Sequence, residues 1–254
     1  MCKFVLILRE YIMNTHWLSM DKDPMGRAIY DYFKTGRAGK LRVFSSQFDE
    51  DELPVVDLFR TFDQMPLLEQ TALHLAHGRI LDVGAGSGCH SCALKDLGKD
   101  SLAIDISPWS VEVMQRRGLN AHLTNVFDER FTGQFDTILM LMNGSGIIGK
   151  LKNMPVFLTR IKQLLAPGGC VLMDSSDLRY LYEDEDGSYV IDLAADYYGE
   201  VDFQMQYGKI KGDSFDWLYI DFDTLSAYAS QYGFEVEKVK EGMHYDYLAR
   251  LSLK

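Results

Sequence analysis

Three glycines at alternate positions, Gly84, Gly86 and Gly88, follow the apolar run 80–83, and Asp82 lies inside that run two residues before the first glycine. Glycine there lets the backbone turn sharply from a strand into a helix and leaves room for a ligand against the main chain. The helix that follows points its positive N-terminus at the same place. A second acid, Asp105, closes the next apolar run 21 residues after Gly84, about the separation at which a carboxylate meets the ribose hydroxyls of a bound nucleoside. The dinucleotide fingerprint requires its third glycine where this chain has Cys89, which disfavours a pyrophosphate ligand.

These residues need a parallel sheet to hold them. From residue 79 onward, short apolar runs alternate with helical stretches, the order of repeated βα units. Strands are predicted over 80–83, 102–105, 121–124, 135–141 and 170–174, with helices over 89–97, 108–117 and 151–165. Ser107-Pro108 is a helix start signal, a capping hydroxyl followed by proline in the first turn. A helix over 224–232 and strands over 234–239 and 245–251 close the domain. The turn 240–244 is too short for a crossover, so those last strands run antiparallel. The expected fold class is α/β: a doubly wound, mostly parallel seven-stranded sheet with an antiparallel last strand. Residues 23–78 are expected to form a helical N-terminal cap, with helices starting at Val55 and spanning 67–76, and 178–221 a β-rich insertion within the domain 79–254. Residues 1–22 are expected to be disordered or a non-native start, with Met13 or Met20 as alternatives, and Arg9 and Glu10 interrupt any export signal.

The charge of Asp82 is better matched by a cationic ligand than by a pyrophosphate. S-adenosylmethionine, with a sulfonium and an ammonium and no phosphate, answers that description. The run Asp82-Val-Gly-Ala-Gly-Ser-Gly88 resembles the glycine motif of the Rossmann-like (class I) S-adenosylmethionine-dependent methyltransferases. Asp105 resembles their ribose acid, the run 135–141 their fourth strand, and Leu164-Leu-Ala-Pro-Gly-Gly169 leading into 170–174 their late motif. The resemblance covers about 79–175 and resumes at 223–252. It implies that Gly84, Ala85 and Gly86 pass beside the methionine moiety, with Asp82 and Gly88 in the same cofactor-binding set. It also implies that Asp105 takes the ribose diol, that Ile106 lies against adenine, and that Asn125 and Val126 stand near the adenine amino group. Met142 and Asn143 would leave the fourth strand beneath the transferable methyl. Asn125 replaces the commoner aspartate, and an amide oxygen still accepts the same bond. Asn143-Gly-Ser-Gly146 departs from the Asn/Asp-Pro-Pro-aromatic signature of amino-group enzymes, so nucleic-acid or glutamine N-methylation loses support.

The 254 residues favour one domain with an appendage. A hydrophobic share of 47% with 25% charged residues is the composition of an ordinary globule. The longest apolar runs are five residues, against about 20 for a membrane span. A net charge of −11 repels phosphate backbones, so no nucleic-acid partner is expected. The basic stretch Lys34, Arg37, Lys40 and Arg42 and the acidic runs 49–52 and 183–186 read as solvated. Cysteines at 2, 89, 92 and 170 make no disulfide framework and fit a reducing cytoplasm. Cys89 with Cys92, and His74 with His77, read as structural, so no metal is expected. His90 and His244 are the candidates for a base, if the acceptor needs one. Tyr180, Tyr182, Tyr197, Tyr198 and Tyr207 make the insertion either a lid over an aromatic or apolar acceptor or a stabilising flap. The sequence therefore reads as a cytoplasmic methyltransferase using S-adenosylmethionine on a small-molecule acceptor, with a protein side chain as second choice and no membrane partner. A non-catalytic module binding the adenosyl cofactor and an NAD(P)-dependent oxidoreductase are the rival classes.

Overall fold

The computed structural model describes residues 16–184, 188–189 and 196–254. Helix α1 (Pro24–Thr35) leads to β1 (Leu41–Phe44) and β2 (Asp51–Leu53), then to 3-10 turns at Val55–Phe59 and Phe62–Gln64 and to α2 (Leu67–Leu75). Next come β3 (Ile80–Val83), α3 (Cys89–Asp96), β4 (Ser101–Asp105), α4 (Pro108–Arg116), β5 (Ala121–Leu123), β6 (Phe135–Met140), α5 (Met154–Leu164) and β7 (Leu165–Ser176). The chain continues through β8 (Glu200–Tyr207), β9 (Ile210–Lys211), β10 (Phe215–Leu218), α6 (Phe222–Gln231), β11 (Phe234–Glu241) and β12 (Asp246–Leu253).

The main sheet has seven strands in the order β11-β12-β7-β6-β3-β4-β5. β12 pairs antiparallel with both β7 and β11, and the other pairings are parallel. The apolar runs are continuous because both faces of the central strands are covered. Ile138, Met140, Val171 and Met173 pack with Phe157, Leu158 and Ile161 of α5 on one face. Leu139, Leu141 and Leu172 pack with Leu68, Leu73 and Leu94 of α2 and α3 on the other. The strands run outward from β3 in two directions, β4 and β5 on one side and β6 and β7 on the other, and such a switch point in strand order opens a crevice at the carboxyl edge of the sheet.

The N-terminal region departs from the expected all-helical cap. β1 and β2 form a hairpin there, and β1 pairs with β8 of the insertion, from Leu41 opposite Tyr207 to Phe44 opposite Gln204. Two segments far apart in sequence thus build one antiparallel sheet with β9 and β10. The basic stretch and the acidic run read as separately solvated are opposite sides of this hairpin: Lys40 meets Glu52 at 3.0 Å and Arg42 meets Glu50 at 2.5 Å. The helix expected from Val55 is two 3-10 turns instead, because Arg60 has extended ψ (146°). Its guanidinium donates to the Asp57 carbonyl and to Glu69.

The unstructured start expected over 1–22 is also corrected in part. Residues 1–15 lie outside the described residues, whereas Leu18 donates its N–H to the Ile106 carbonyl at 2.8 Å and Met20–Lys22 form a 3-10 turn. Of the acidic run 183–186, residues 185 and 186 likewise lie outside the described residues.

Leu41 has no solvent exposure and packs with Ala28 and Val55, with Met205 of β8 against the same cluster. Leu41→Ala is expected to cost about 2–5 kcal/mol in urea denaturation. Hydrogen exchange is expected to quicken in β1 and β8 together. Loosening of β1 alone would show that the two segments do not act as one sheet.

Candidate active site

The crevice is built around the turn from β3 into α3. Gly84, Gly86 and Gly88 have φ of 69°, 57° and 80°, values that side chains with a Cβ adopt only at a cost. A Cβ on Gly84 would stand 2.9 Å from Ile147, and one on Gly88 2.5 Å from Leu119. Gly84 is exposed while Asp82, Val83, Ala85 and Gly86 around it are buried, so bare backbone is what the turn shows to the crevice.

Asp105 ends β4 beside this turn. Its Oδ2 accepts the Gly86 N–H and its Oδ1 the Ser107 N–H, both at 2.8 Å. Burial pushes its pKa up to about 6 against these two bonds, and the charges of Asp23 and Asp82 add to the rise. Ser107 caps α4 by accepting the Ser110 N–H at 3.0 Å and donates its own hydroxyl to Asp23, the N-cap of α1. A Cβ on Gly26 would fall 2.1 Å from Ser107 Oγ, so α1 docks directly on the start of α4. Met25 and Ile29 of α1 reach to 4.0 Å of the position a Gly86 Cβ would take. The N-terminal helix therefore covers the glycine turn.

Asp82 lies beneath the turn rather than on its lip. It is buried, and its carboxylate accepts the Ser91 hydroxyl at 2.7 Å. Ile106 is half-buried, and the Asn125 side-chain oxygen accepts the Phe127 N–H at 3.0 Å. Val126 is buried, and its carbonyl accepts the Arg160 Nε–H at 2.7 Å. Buried Arg160 also donates to the carbonyls of Asp128 and Phe131 and so pins the whole loop after β5.

Beyond β6, Met142 and Asn143 take φ of 67° and 55°. The left-handed conformation costs roughly 1–2 kcal/mol for a side chain such as Met. Asp174 meets that cost: its Oδ2 accepts the Met142 N–H at 3.1 Å and its Oδ1 the Gly144 N–H at 3.0 Å. Burial raises its pKa to about 6.

Neither candidate base is placed to act as one. His90 is buried with Nε2 2.8 Å from Glu69, which Arg60 also grips. Burial alone would lower the His90 pKa, but the Glu69 hydrogen bond and the charges of Asp82 and Glu69 outweigh it and raise the value. With Nε2 committed to Glu69, that nitrogen is not free to take a proton from an acceptor. His244 is exposed at the tip of the β11–β12 hairpin, its N–H donated to Asp246 at 2.9 Å.

Burial pushes the Cys89 thiol up to about 12, so it is no thiolate despite its helix start. His74 packs edge-on against Phe62, and His77 Nδ1 meets the Leu75 carbonyl. Tyr197 and Tyr198 hydrogen-bond Asp221, Tyr207 donates to Asp31, and Tyr247 donates to the Ile220 carbonyl. The hydroxyls of these tyrosines hold elements together. Among the described residues no helix is long and apolar enough to cross a membrane.

Sequence reasoning missed Arg60, Glu69, Arg160, Asp174 and Asp23. Arg60 is the most informative of them. The Ser87 hydroxyl of the glycine turn donates to the Leu58 carbonyl two residues earlier, which sets Arg60 against the start of α3. Its Nε is the one buried side-chain polar atom found without a hydrogen-bond partner among the described residues.

A seven-stranded sheet of this order, with a bare glycine turn and an acid one strand away, is the architecture of class I methyltransferases. A family model described as "Methyltransferase domain" matches residues 58–239, and the chain belongs to that family. It is 66% identical to the S-adenosylmethionine-dependent methyltransferase of Bacteroides fragilis, whose crystal structure is in complex with S-adenosyl-L-homocysteine. That match covers 95% of this chain and 99% of the other, with a TM-score of 0.90. The cypemycin N-terminal methyltransferase of Streptomyces sp is 28% identical over 102 residues, 39% of this chain and 42% of the relative. The chain thus matches less than half the length of that curated relative. The CcbJ methyltransferase of Streptomyces caelestis shares the fold, at 13% identity and a TM-score of 0.60 over 91% of this chain and 98% of that one. The protein is an S-adenosylmethionine-dependent methyltransferase of the class I Rossmann-like fold, and S-adenosylmethionine is its cofactor.

Were Asp105 the acceptor for the cofactor's hydroxyls, its pKa would make affinity pH-dependent: the ionised carboxylate is the better acceptor, so binding is expected to weaken as pH falls through about 6. S-adenosylhomocysteine is expected to bind roughly tenfold more weakly at pH 5 than at pH 7.5 by calorimetry, one pKa unit being a factor of ten. Asp105→Asn is expected to flatten the profile. An unchanged slope in that variant would assign the titration to another group.

Proposed function

We propose that the enzyme methylates a small-molecule acceptor by in-line transfer, with Asp82, Gly84, Ala85, Gly86, Gly88, Asp105, Ile106, Asn125, Val126, Met142 and Asn143 forming the cofactor site. The observation that carries the cofactor assignment is the Asp105 carboxylate held against the glycine turn through the Gly86 N–H. Each of its oxygens uses one lone pair on backbone and keeps another for a ribose hydroxyl. Exposed Gly84 leaves room for the methionine chain, and the free Nε of Arg60 beside the start of α3 suits its carboxylate.

When bound, S-adenosylmethionine supplies a sulfonium-activated methyl group. The chain's own contribution is to orient and to exclude water. Met25 and Ile29 cover the turn, and Trp217 of β10 packs so closely on Gly146 that a Cβ there would overlap its ring. Holding acceptor nitrogen or oxygen, methyl carbon and sulfur in line supplies most of what such a displacement needs. An acceptor with a free lone pair at neutral pH needs no base, consistent with the engagement of His90.

The small-molecule reading is supported by the net charge of −11, which disfavours nucleic acid, and by the covered crevice. The name of the cypemycin N-terminal methyltransferase puts amines among the first acceptors to test. An acceptor panel of amines, phenols and carboxylates, read by release of S-adenosylhomocysteine, tests the proposal. Turnover of a protein in preference to every small acceptor would overturn it. Tight cofactor binding with no turnover of any acceptor would instead favour a binding module.

Arg60 gives a sharper test of the cofactor end. Wild-type protein is expected to bind S-adenosylhomocysteine roughly 10–100-fold tighter than S-adenosyl-3-thiopropylamine, which lacks only the carboxylate, as a charge-assisted hydrogen bond is worth about 1.5–3 kcal/mol. In Arg60→Met calorimetry should show that preference close to lost. Equal weakening of both ligands would mean that Arg60 only supports the fold.

A further inference from the structure

Three successive residues at the end of β7 all reach to the turn that leaves β6. Asp174 accepts the N–H groups of Met142 and Gly144 at 3.1 and 3.0 Å. The Ser175 hydroxyl pairs with that of Ser145 at 2.8 Å and accepts the Ile220 N–H at 2.9 Å. Ser176 donates its hydroxyl to the Asn143 side-chain oxygen at 2.8 Å. Asp174 and Ser176 share one face of the strand and Ser175 takes the other, so the turn is held from both sides of the sheet. Ser145 also donates to the Leu218 carbonyl at 2.8 Å, which ties the same turn to the end of β10.

This is more than an ordinary strand connection requires. A left-handed Met followed by a left-handed Asn persists only where the surroundings over-determine it, and such conformations gather at functional sites. Two neighbouring peptide N–H groups aimed at one point call for an acceptor with two oxygens and no donor, and an ionised carboxylate is the side chain that offers this. Gly144 leaves no alternative path, since a Cβ there would lie 2.7 Å from the Met140 Cβ. Asp174 is buried, its neighbouring charges are Glu69 and His90, and the bonds to the turn are the only hydrogen bonds its side chain makes among the described residues.

We propose that Asp174 is a positioning residue for methyl transfer: its carboxylate, with the hydroxyls of Ser175 and Ser176, holds the turn 142–145 in the one shape that presents Met142 and Asn143 to the cofactor's methyl group. The proposal rests on the assignment of Met142 and Asn143 made above. It separates two tasks along the crevice. Asp105 and Arg60 hold the ends of the cofactor, and Asp174 sets the surface against which its methyl lies.

The test uses S-adenosylmethionine carrying 13C in the methyl group, bound to the full chain and observed by heteronuclear NMR, so no acceptor is needed. Wild-type protein is expected to give one bound methyl resonance. Asp174→Asn replaces one acceptor oxygen by an NH2 that opposes a peptide N–H. It is expected to shift or broaden the resonance, while calorimetric affinity for S-adenosylhomocysteine stays within about threefold. With any acceptor found by the panel, kcat should fall at least tenfold and the cofactor KM should hold. Should Asp174→Asn not fold, Ser176→Ala removes only the hydroxyl on Asn143 and should shift the resonance in the same direction. A wild-type resonance in every variant that folds would overturn the proposal. No bound resonance in the wild type would instead sink the cofactor-site assignment beneath it.

Discussion

One carboxylate organises the crevice. Asp105 joins two backbone segments that would otherwise be independent, the turn into α3 through Gly86 and the start of α4 through Ser107. The Ser107 N–H belongs to a helix cap and the Gly86 N–H to the turn that precedes one, and neither has a partner within its helix. The acid thus satisfies backbone need and sits, desolvated, at the point where a nucleoside's hydroxyls would complete its coordination. Its raised pKa is the mark of that compromise: two hydrogen bonds do not offset the burial of the charge. Ser107 extends the link outward, since its hydroxyl donates to Asp23 and fixes α1 over the turn. From a single strand end the structure thereby places the glycine turn and the helix that covers it.

The second sheet works on another principle. β1 and β8 are separated by more than 150 residues, and nearly all of their residues are half-buried rather than buried on both faces. Charges across the β1–β2 hairpin pair with one another, and such exposed pairs contribute little stability. What the sheet gains comes from buried points such as Leu41 and Val201. The second sheet therefore depends on a few apolar contacts between segments far apart in sequence, while the central sheet is packed on two faces by α2, α3 and α5.

This difference also sets how far the sequence could be read. The strand–glycine–helix unit and Asp105 were legible because their requirements are local: a bare backbone at 84, 86 and 88 and an acid one strand later. The parallel core was legible because burial on both faces writes an unbroken apolar run. β1 and β2 were not, since Lys40, Arg42, Glu50 and Glu52 look solvated until the hairpin pairs them. Arg60, Glu69 and His90 meet only in three dimensions, so His90 read as a free imidazole rather than as the partner of Glu69. The left-handed Met142 carries no signal at all, because methionine has no preference for that conformation and the reason for it, Asp174, lies on the next strand. Arg160 was hidden likewise: an arginine in a helix reads as surface until the three carbonyls it binds are seen.

The buried charges follow a pattern that bears on the choice of ligand. Asp82, Glu69 and Asp174 interact with His90, and Arg60 closes the cluster through Glu69. Asp82 and Asp174 have raised pKa values although each accepts hydrogen bonds. Burial is the main cause in both cases, and the proximity of His90 pulls the other way. A cationic ligand beside such buried acids is attracted far more strongly in a water-poor crevice than at the surface.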